Sequence, residues 1–238
     1  MIQSKFNISK AFKDSIIFYK NNVLYIYIIY LFLIIPNIIL SIFYNSSYFY
    51  LIFLLIINLL FYPLSKISLY IFMEYKNLIK SIRKSLEYYK GVIIIYFIIS
   101  GVMFSLILLS ALISLSISLI FFFTYKVQLI IDVFMVSFII LSILSYIYTN
   151  KFFISSQLYI FENKYIKESI YTSIKTINYN NATKIFLIKF ILYSISVISL
   201  LFPELIIRFI SIIISVYFII PIINIFSYYL YNQYKSSN

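Results

Sequence analysis

Histidine and cysteine are absent from the 238 residues, and glycine and proline are nearly so, with two and four. Without histidine the chain lacks the commonest general base and the commonest metal ligand. Without cysteine it holds no disulfide and no thiolate site, and its redox compartment cannot be read from thiol usage. Charge is scarce too: 11% of the residues are Asp, Glu, Lys or Arg, where a globular chain carries roughly a quarter. Only seven carboxylates occur, and none stands alone in the middle of an apolar run, where it would mark a proton or ion path. No phosphate-cradling glycine loop, metal-ligand cluster or nucleophile triad can be assembled from the remainder. The expectation is a protein that is not an enzyme, with no catalytic residue, no metal and no cofactor.

What is abundant is apolar surface. Hydrophobic residues make up 63% of the chain, with 26 tyrosines and 25 phenylalanines. Apolar runs cover Val23 to Tyr44, Phe49 to Phe72, Val92 to Phe123, Val133 to Ile154, Ile185 to Phe202 and Phe209 to Tyr231. A membrane-spanning helix needs roughly 17 to 25 residues, and five of the six runs meet that length. The third is longer, and residues 91–123 read either as one long helix or as a broken one. Lys and Arg accumulate on the cytoplasmic side of short loops, which decides the number of spans. Six spans with both termini inside put 17 basic residues inside and leave Lys126 and Arg208 outside, whereas seven spans divide them 12 to 7. The segment before Val23 is too polar, and the run after it too long, for a cleaved signal peptide. The net charge of +12 follows from this positive-inside bias and from attraction to anionic lipid, not from a nucleic-acid partner.

Three segments share a pattern of their own: ISKAFKDSIIFYK at 8–20, LIKSIRKSLEYYK at 78–90 and IKESIYTSIKTIN at 166–178. Ala11 and Ser15, Ser81 and Ser85, and Ser169 and Ser173 are each four apart, so in a helix each pair forms one small-residue stripe. Phe12 and Ile16, Ile82 and Leu86, and Ile170 and Ile174 form the neighbouring large apolar stripe. Small residues four apart let helices approach closely, which predicts that these helices dock on the inner ends of spans. Leu69-Tyr70-Ile71-Phe72 and Leu158-Tyr159-Ile160-Phe161 recur about a dozen residues before Ser81 and Ser169, the first small residues of the second and third copies. Three tandem units at 1–76, 77–163 and 164–238 follow, each an amphipathic helix plus a helical hairpin.

This repeated small-residue pattern before each outward span, with span pairs returning through a Tyr-containing inner end, resembles the membrane domain attached to some bacterial glycerophosphoryl diester phosphodiesterases and related uncharacterised six-span proteins. Pro63 and Pro221 near inner span ends fit the likeness, while the fourth span lacks such a proline. The resemblance implies a membrane domain and carries no hydrolase, whose catalytic barrel is a separate soluble unit.

The fold expected is therefore all-α: one integral membrane domain over 1–238 in the cytoplasmic membrane, six transmembrane helices, both termini cytoplasmic. Lys80, Arg83, Lys84 and Lys90 are the candidate lipid- or partner-binding residues, because they cluster on one amphipathic segment. Asn37 and Asn58 are expected to form an interhelical polar pair in the first hairpin, at similar depth on adjacent spans. Lys66 is expected to snorkel to the headgroups, Asp132 to sit at a helix N-terminus where the dipole favours a carboxylate, and Glu204 and Arg208 to form an interfacial pair. The function expected is a lipid- or partner-interacting accessory protein. The alternative is a transport permease, with an ATPase subunit as partner.

Overall fold

The computed structural model describes residues 6–43, 48–120, 127–200, 210 and 213–237, with the backbone alone at 32, 37–43, 48–55, 57–59, 120 and 195–200. These residues are helical apart from short connections, and no strand occurs among them. In order they form α1 (Ile8–Asn21), α2 (Val23–Phe43), α3 (Tyr48–Tyr75), α4 (Leu78–Ile120), α5 (Val127–Thr149), a 3₁₀ turn (Asn150–Phe152), α6 (Ser155–Glu162), α7 (Ile166–Thr176) and α8 (Tyr179–Leu200). A π-helical turn (Ser215–Ile219) then leads into α9 (Ile220–Ser237). Among the described residues, two helical segments are long and apolar enough to cross a membrane: Leu78–Leu119 and Val127–Glu162.

Local chemistry explains where helices stop. Asn178 caps the start of α8 by accepting from the backbone N–H of Asn181, and at the end of α1 Asn22 Nδ2 donates to the Phe18 carbonyl. Asparagine competes in this way with the helical ladder, so α1 and α7 each end before the apolar helix that follows. The second amphipathic copy has Tyr88-Tyr89-Lys90-Gly91 at its junction and no such side chain. It runs on without a break, and 78–90 forms the first turns of a 43-residue helix. The long third run is thus one unbroken helix to Ile120, about 64 Å from Leu78 at ~1.5 Å per residue. The second unit accordingly has no separate amphipathic helix.

The second helix of each unit carries a backbone irregularity, about a dozen residues before its end in the first two units and 18 or more in the last. In α3 it is Pro63, which removes one ladder hydrogen bond. In the middle unit it is the 3₁₀ turn. There Thr149 Oγ1 and Asn150 Nδ2 both donate to the Tyr146 carbonyl. In the last unit it is the π-helical turn just before Pro221. The fourth apolar run is therefore not one helix to Ile154: α5 ends at Thr149 and α6 starts at Ser155.

The packed core lies at the end where α1, α7, the first turns of α4 and the last turns of α3, α6 and α9 gather, called here the basic end. One apolar cluster joins Ile26, Tyr30 and Leu33 of α2 to Ile67–Met73 of α3, Val92 of α4 and Tyr228 of α9. The other joins Ile8 and Ala11 of α1 to Leu158, Ile185, Phe226 and Leu230. All residues from Ile223 to Tyr228 are buried, so α9 is enclosed on every side and is the centre of the bundle. Away from the basic end, α4 and α5 pair through serines. Ser110, Ser114 and Ser118 are buried, and the Ser110 and Ser145 hydroxyls lie 3.1 Å apart. α3 packs on α4 and α8 on α5, yet both helices still expose large apolar side chains, with Phe104 and Leu112 64% and 62% exposed.

Candidate functional site

The six small residues of the amphipathic segments, Ala11, Ser15, Ser81, Ser85, Ser169 and Ser173, are all 0% exposed. Their hydroxyls are satisfied locally. Ser15 Oγ donates to the Ala11 carbonyl, 2.6 Å, Ser81 Oγ to the Asn77 carbonyl and Ser85 Oγ to the Ile82 carbonyl, 2.6 Å. Ser173 Oγ instead crosses to the Lys151 carbonyl, 2.7 Å, tying α7 to the 3₁₀ turn. The large apolar neighbours are only half-buried, and Leu86 is exposed. Of the two stripes, the small one faces the bundle.

Each segment packs on the second helix of a neighbouring unit, α1 on α9, α4 on α3 and α7 on α6, and α4 also touches α6 of its own unit. The contact of α1 with α9 brings the first unit back to the last. Asn7 N–H donates to Gln233 Oε1, 2.8 Å, and Gln233 Nε2 returns a bond to the Asn7 carbonyl, 3.2 Å. Tyr19 Oη donates to the Tyr217 carbonyl, 2.9 Å.

Around this ring lie the cations. Lys80, Arg83 and Lys90 are exposed and Lys84 half-buried. The Nζ atoms of Lys80 and Lys84 sit 4.2 and 4.6 Å from the centre of the Tyr75 ring. Lys84 also lines a cleft of about 200 Å³ with Glu74, Tyr75, Tyr88, Asn163 and Lys235, where the ends of α3, α6 and α9 meet the start of α4. Burial lowers the Lys76 ammonium from its ordinary value, and its Nζ stands 4.0 Å over the Phe18 ring. At Lys164 burial acts in the same direction, but Glu162, 2.6 Å away, outweighs it and raises the group.

Behind the basic end the bundle is polar inside. Asn224 of α9 donates from Nδ2 to Tyr30 Oη, 2.7 Å, and its Oδ1 accepts from Tyr62 Oη, 3.1 Å. Ser227 Oγ gives its one proton to the Asn224 carbonyl, 2.9 Å. It must therefore accept both from Gln157 Nε2 and from Tyr70 Oη, 2.6 Å. Lys66 belongs to this interior. It is 8% exposed, and its Nζ stands 5.0 Å over Tyr96 and 5.6 Å over Tyr70. It does not snorkel to an outer surface, because the inner third of α3 is enclosed by α2, α4 and α9. Lys189, which the sequence places among the inside cations flanking a span, also turns inward. Its Nζ donates to Asn150 Oδ1, 2.8 Å, and lies 5.3 Å from the Tyr146 ring and 5.2 Å from that of Phe153.

Other expectations fall elsewhere. The side chains of Asn37 and Asn58 lie outside the described residues, as do Lys126, Glu204 and Arg208. Asp132 stands five residues inside α5, not at its start, and accepts from Gln128 Nε2, 3.1 Å. Among the described residues no group of His, Cys, Asp and Glu could hold a metal ion. Sequence reasoning missed Lys189, Tyr62, Tyr96, Asn224, Ser227 and Gln157. The signal available for them was spacing: Tyr62, Lys66 and Tyr70 repeat every four residues along α3, and Lys189 and Tyr193 do the same on α8.

No family model, curated protein or solved structure matches the chain.

Proposed function

We propose that this chain is a non-enzymatic, multi-pass protein of the cytoplasmic membrane. Six helices cross the bilayer, both termini are cytoplasmic, and the basic end is a platform for anionic lipid headgroups. The observation that carries this reading is the separation of surfaces. The α4–α5 pair exposes large apolar side chains along its length, while Lys80, Arg83, Lys84 and Lys90 gather at the opposite extreme of the bundle. Apolar surface of that extent needs lipid or protein to cover it. A basic rim beside it fits the anionic inner leaflet, where each surface cation contributes about 1 kcal/mol. An irregularity in the second helix of each unit, at Pro63, the 3₁₀ turn and the π-helical turn, supports three related units. So does the likeness to the membrane domain of glycerophosphoryl diester phosphodiesterases.

The second reading, a transport permease coupled to an ATPase, draws on the polar interior around Asn224, Lys66 and Lys189, which a purely structural bundle does not need. Purification from native membranes with lipid analysis separates the two. The platform reading expects anionic lipid to copurify with the wild type and to fall away when Lys80, Arg83, Lys84 and Lys90 are all changed to Gln. An ATPase retained by both proteins, with no difference in lipid, would replace it with the permease.

A further inference from the structure

The cleft of about 200 Å³ at the basic end holds charges of both signs that do not meet. Glu74 on the last turn of α3 lines it, together with Lys84 on the first turns of α4 and Lys235 near the end of α9. Among the described residues the one ion pair is Lys164 with Glu162, so neither lysine of the cleft lies within ion-pairing distance of Glu74. Glu74 and Lys84 each engage a tyrosine instead. Tyr228 Oη donates to Glu74 Oε2, 2.5 Å. Lys84 Nζ donates to Tyr75 Oη, 3.4 Å, and stands 4.6 Å from the centre of the same ring. Opposite charges that line one cleft without pairing leave room for a ligand that bridges them.

The rest of the lining narrows the chemistry of that ligand. Tyr75, Tyr88 and Phe161 supply aromatic side chains, and aromatic faces attract ammonium groups. Two helices, α3 and α6, end at the cleft. Helix C-termini carry unpaired carbonyls and a negative partial charge. Glu74, the rings and the helix ends therefore suit a primary ammonium, while Lys84 and Lys235 suit a phosphate as point charges. The volume lies below the roughly 300 Å³ at which drug-sized pockets begin. That is room for a headgroup and not for a nucleotide.

We propose that this cleft binds the headgroup of an aminophospholipid, its primary ammonium held by Glu74 and its phosphate by Lys84 and Lys235. The inference rests on the reading that the basic end faces lipid, and it names the lipid class for one site there. A choline headgroup brings the positive charge but no N–H for Glu74, whose carboxylate only accepts. A glycerol headgroup brings hydroxyls but no charge to match that carboxylate. Ethanolamine and serine headgroups both carry the phosphate and the primary ammonium, and free phosphoethanolamine offers the same two groups without the acyl chains.

The test is thermal unfolding of the full-length protein in detergent, titrated with lipids of one acyl composition in matched pairs. Phosphatidylethanolamine and phosphatidylcholine are both neutral and differ in the amine. Phosphatidylserine and phosphatidylglycerol both carry one negative charge and differ in the amine. Soluble phosphoethanolamine against phosphocholine is the third pair, and a preference confined to it names a free metabolite as the source. In at least one pair the wild type is expected to reach half its stabilisation at about tenfold less of the amine-bearing member, the size of one charge-assisted hydrogen bond. Glu74→Gln keeps an oxygen for Tyr228 and is expected to erase this preference while leaving any difference between phosphatidylglycerol and phosphatidylcholine. Lys235→Gln carries the test should Glu74→Gln not fold, and is expected to weaken the response to the preferred member severalfold. No preference for the amine in any pair, a preference that folded Glu74→Gln retains, or a response of folded Lys235→Gln equal to that of the wild type overturns the site. The platform for anionic lipid is read separately: it fails when phosphatidylglycerol stabilises the wild type no better than phosphatidylcholine, whatever the amine does.

Discussion

The ring of Tyr159 on α6 lies where a β-carbon on Gly91 of α4 would stand, and an alanine there would overlap Tyr159 Cζ and Oη. Of the chain's two glycines, Gly91 is buried at a helix crossing, while Gly101 has nothing within 4 Å of its β-position. Gly91→Ala should therefore force the Tyr159 ring away from Tyr88, its edge-on neighbour, and lower stability by about 1–3 kcal/mol, the usual cost of overpacking. Gly101→Ala should raise stability by about 0.5–1 kcal/mol through helix propensity alone. Thermal melts of the two variants in one detergent check this, and shifts of the same sign would sink it.

Replacing Ser81 and Ser85 together with Leu puts two large side chains on a face with no exposed surface. Lower thermal stability in detergent is expected, by roughly 2 kcal/mol or more. A double variant that melts like the wild type would mean that the start of α4 floats instead of docking.

How far these features were legible in the sequence differs by residue. The helical class was, because apolar runs of such length with two glycines leave little else. The faces of the amphipathic segments were marked by spacing: Ser81 and Ser85 sit four apart beside Ile82 and Leu86, and that arithmetic is local. Lys189 was not legible as an interior residue. Ten residues into α8 it looks like a flanking cation, and its direction is set by Asn150, 39 positions away. Lys66 misled for the same reason, since a lysine near a span end snorkels unless neighbouring helices close the route. The break of α5 at Thr149 has no proline or glycine to announce it, because side chains of Thr149 and Asn150 capture the Tyr146 carbonyl instead.

Asn163 closes α6 in the left-handed conformation, φ 51°, a region that asparagine tolerates and β-branched residues do not. Asn163→Val should cost about 1–2 kcal/mol, while Asn163→Gly should be neutral or mildly stabilising. Chemical or thermal unfolding of the pair checks the order, and a valine variant as stable as the glycine one would contradict the cap.

Lys164 offers a pH test. Burial lowers its affinity for a proton and Glu162 more than restores it, so its value when folded lies above the ordinary one. The stability it contributes is then fully present at neutral pH and is lost as pH rises through that raised value. The difference in melting temperature between the wild type and Lys164→Met should be constant from pH 7 to 9 and shrink in more alkaline solution. A difference that grows with alkalinity would reverse the sign and rule the pair out as its cause.

The account stands or falls on which side of a membrane the basic end faces. The native chain has no cysteine, so single cysteines can be read without background. Asn45→Cys, Lys126→Cys and Pro203→Cys should react with an impermeant maleimide on intact cells, and Lys167→Cys and Lys235→Cys only after the cells are permeabilised. Labelling of Lys167→Cys or Lys235→Cys on intact cells, or protection of Lys126→Cys there, would contradict six spans with a cytoplasmic basic end.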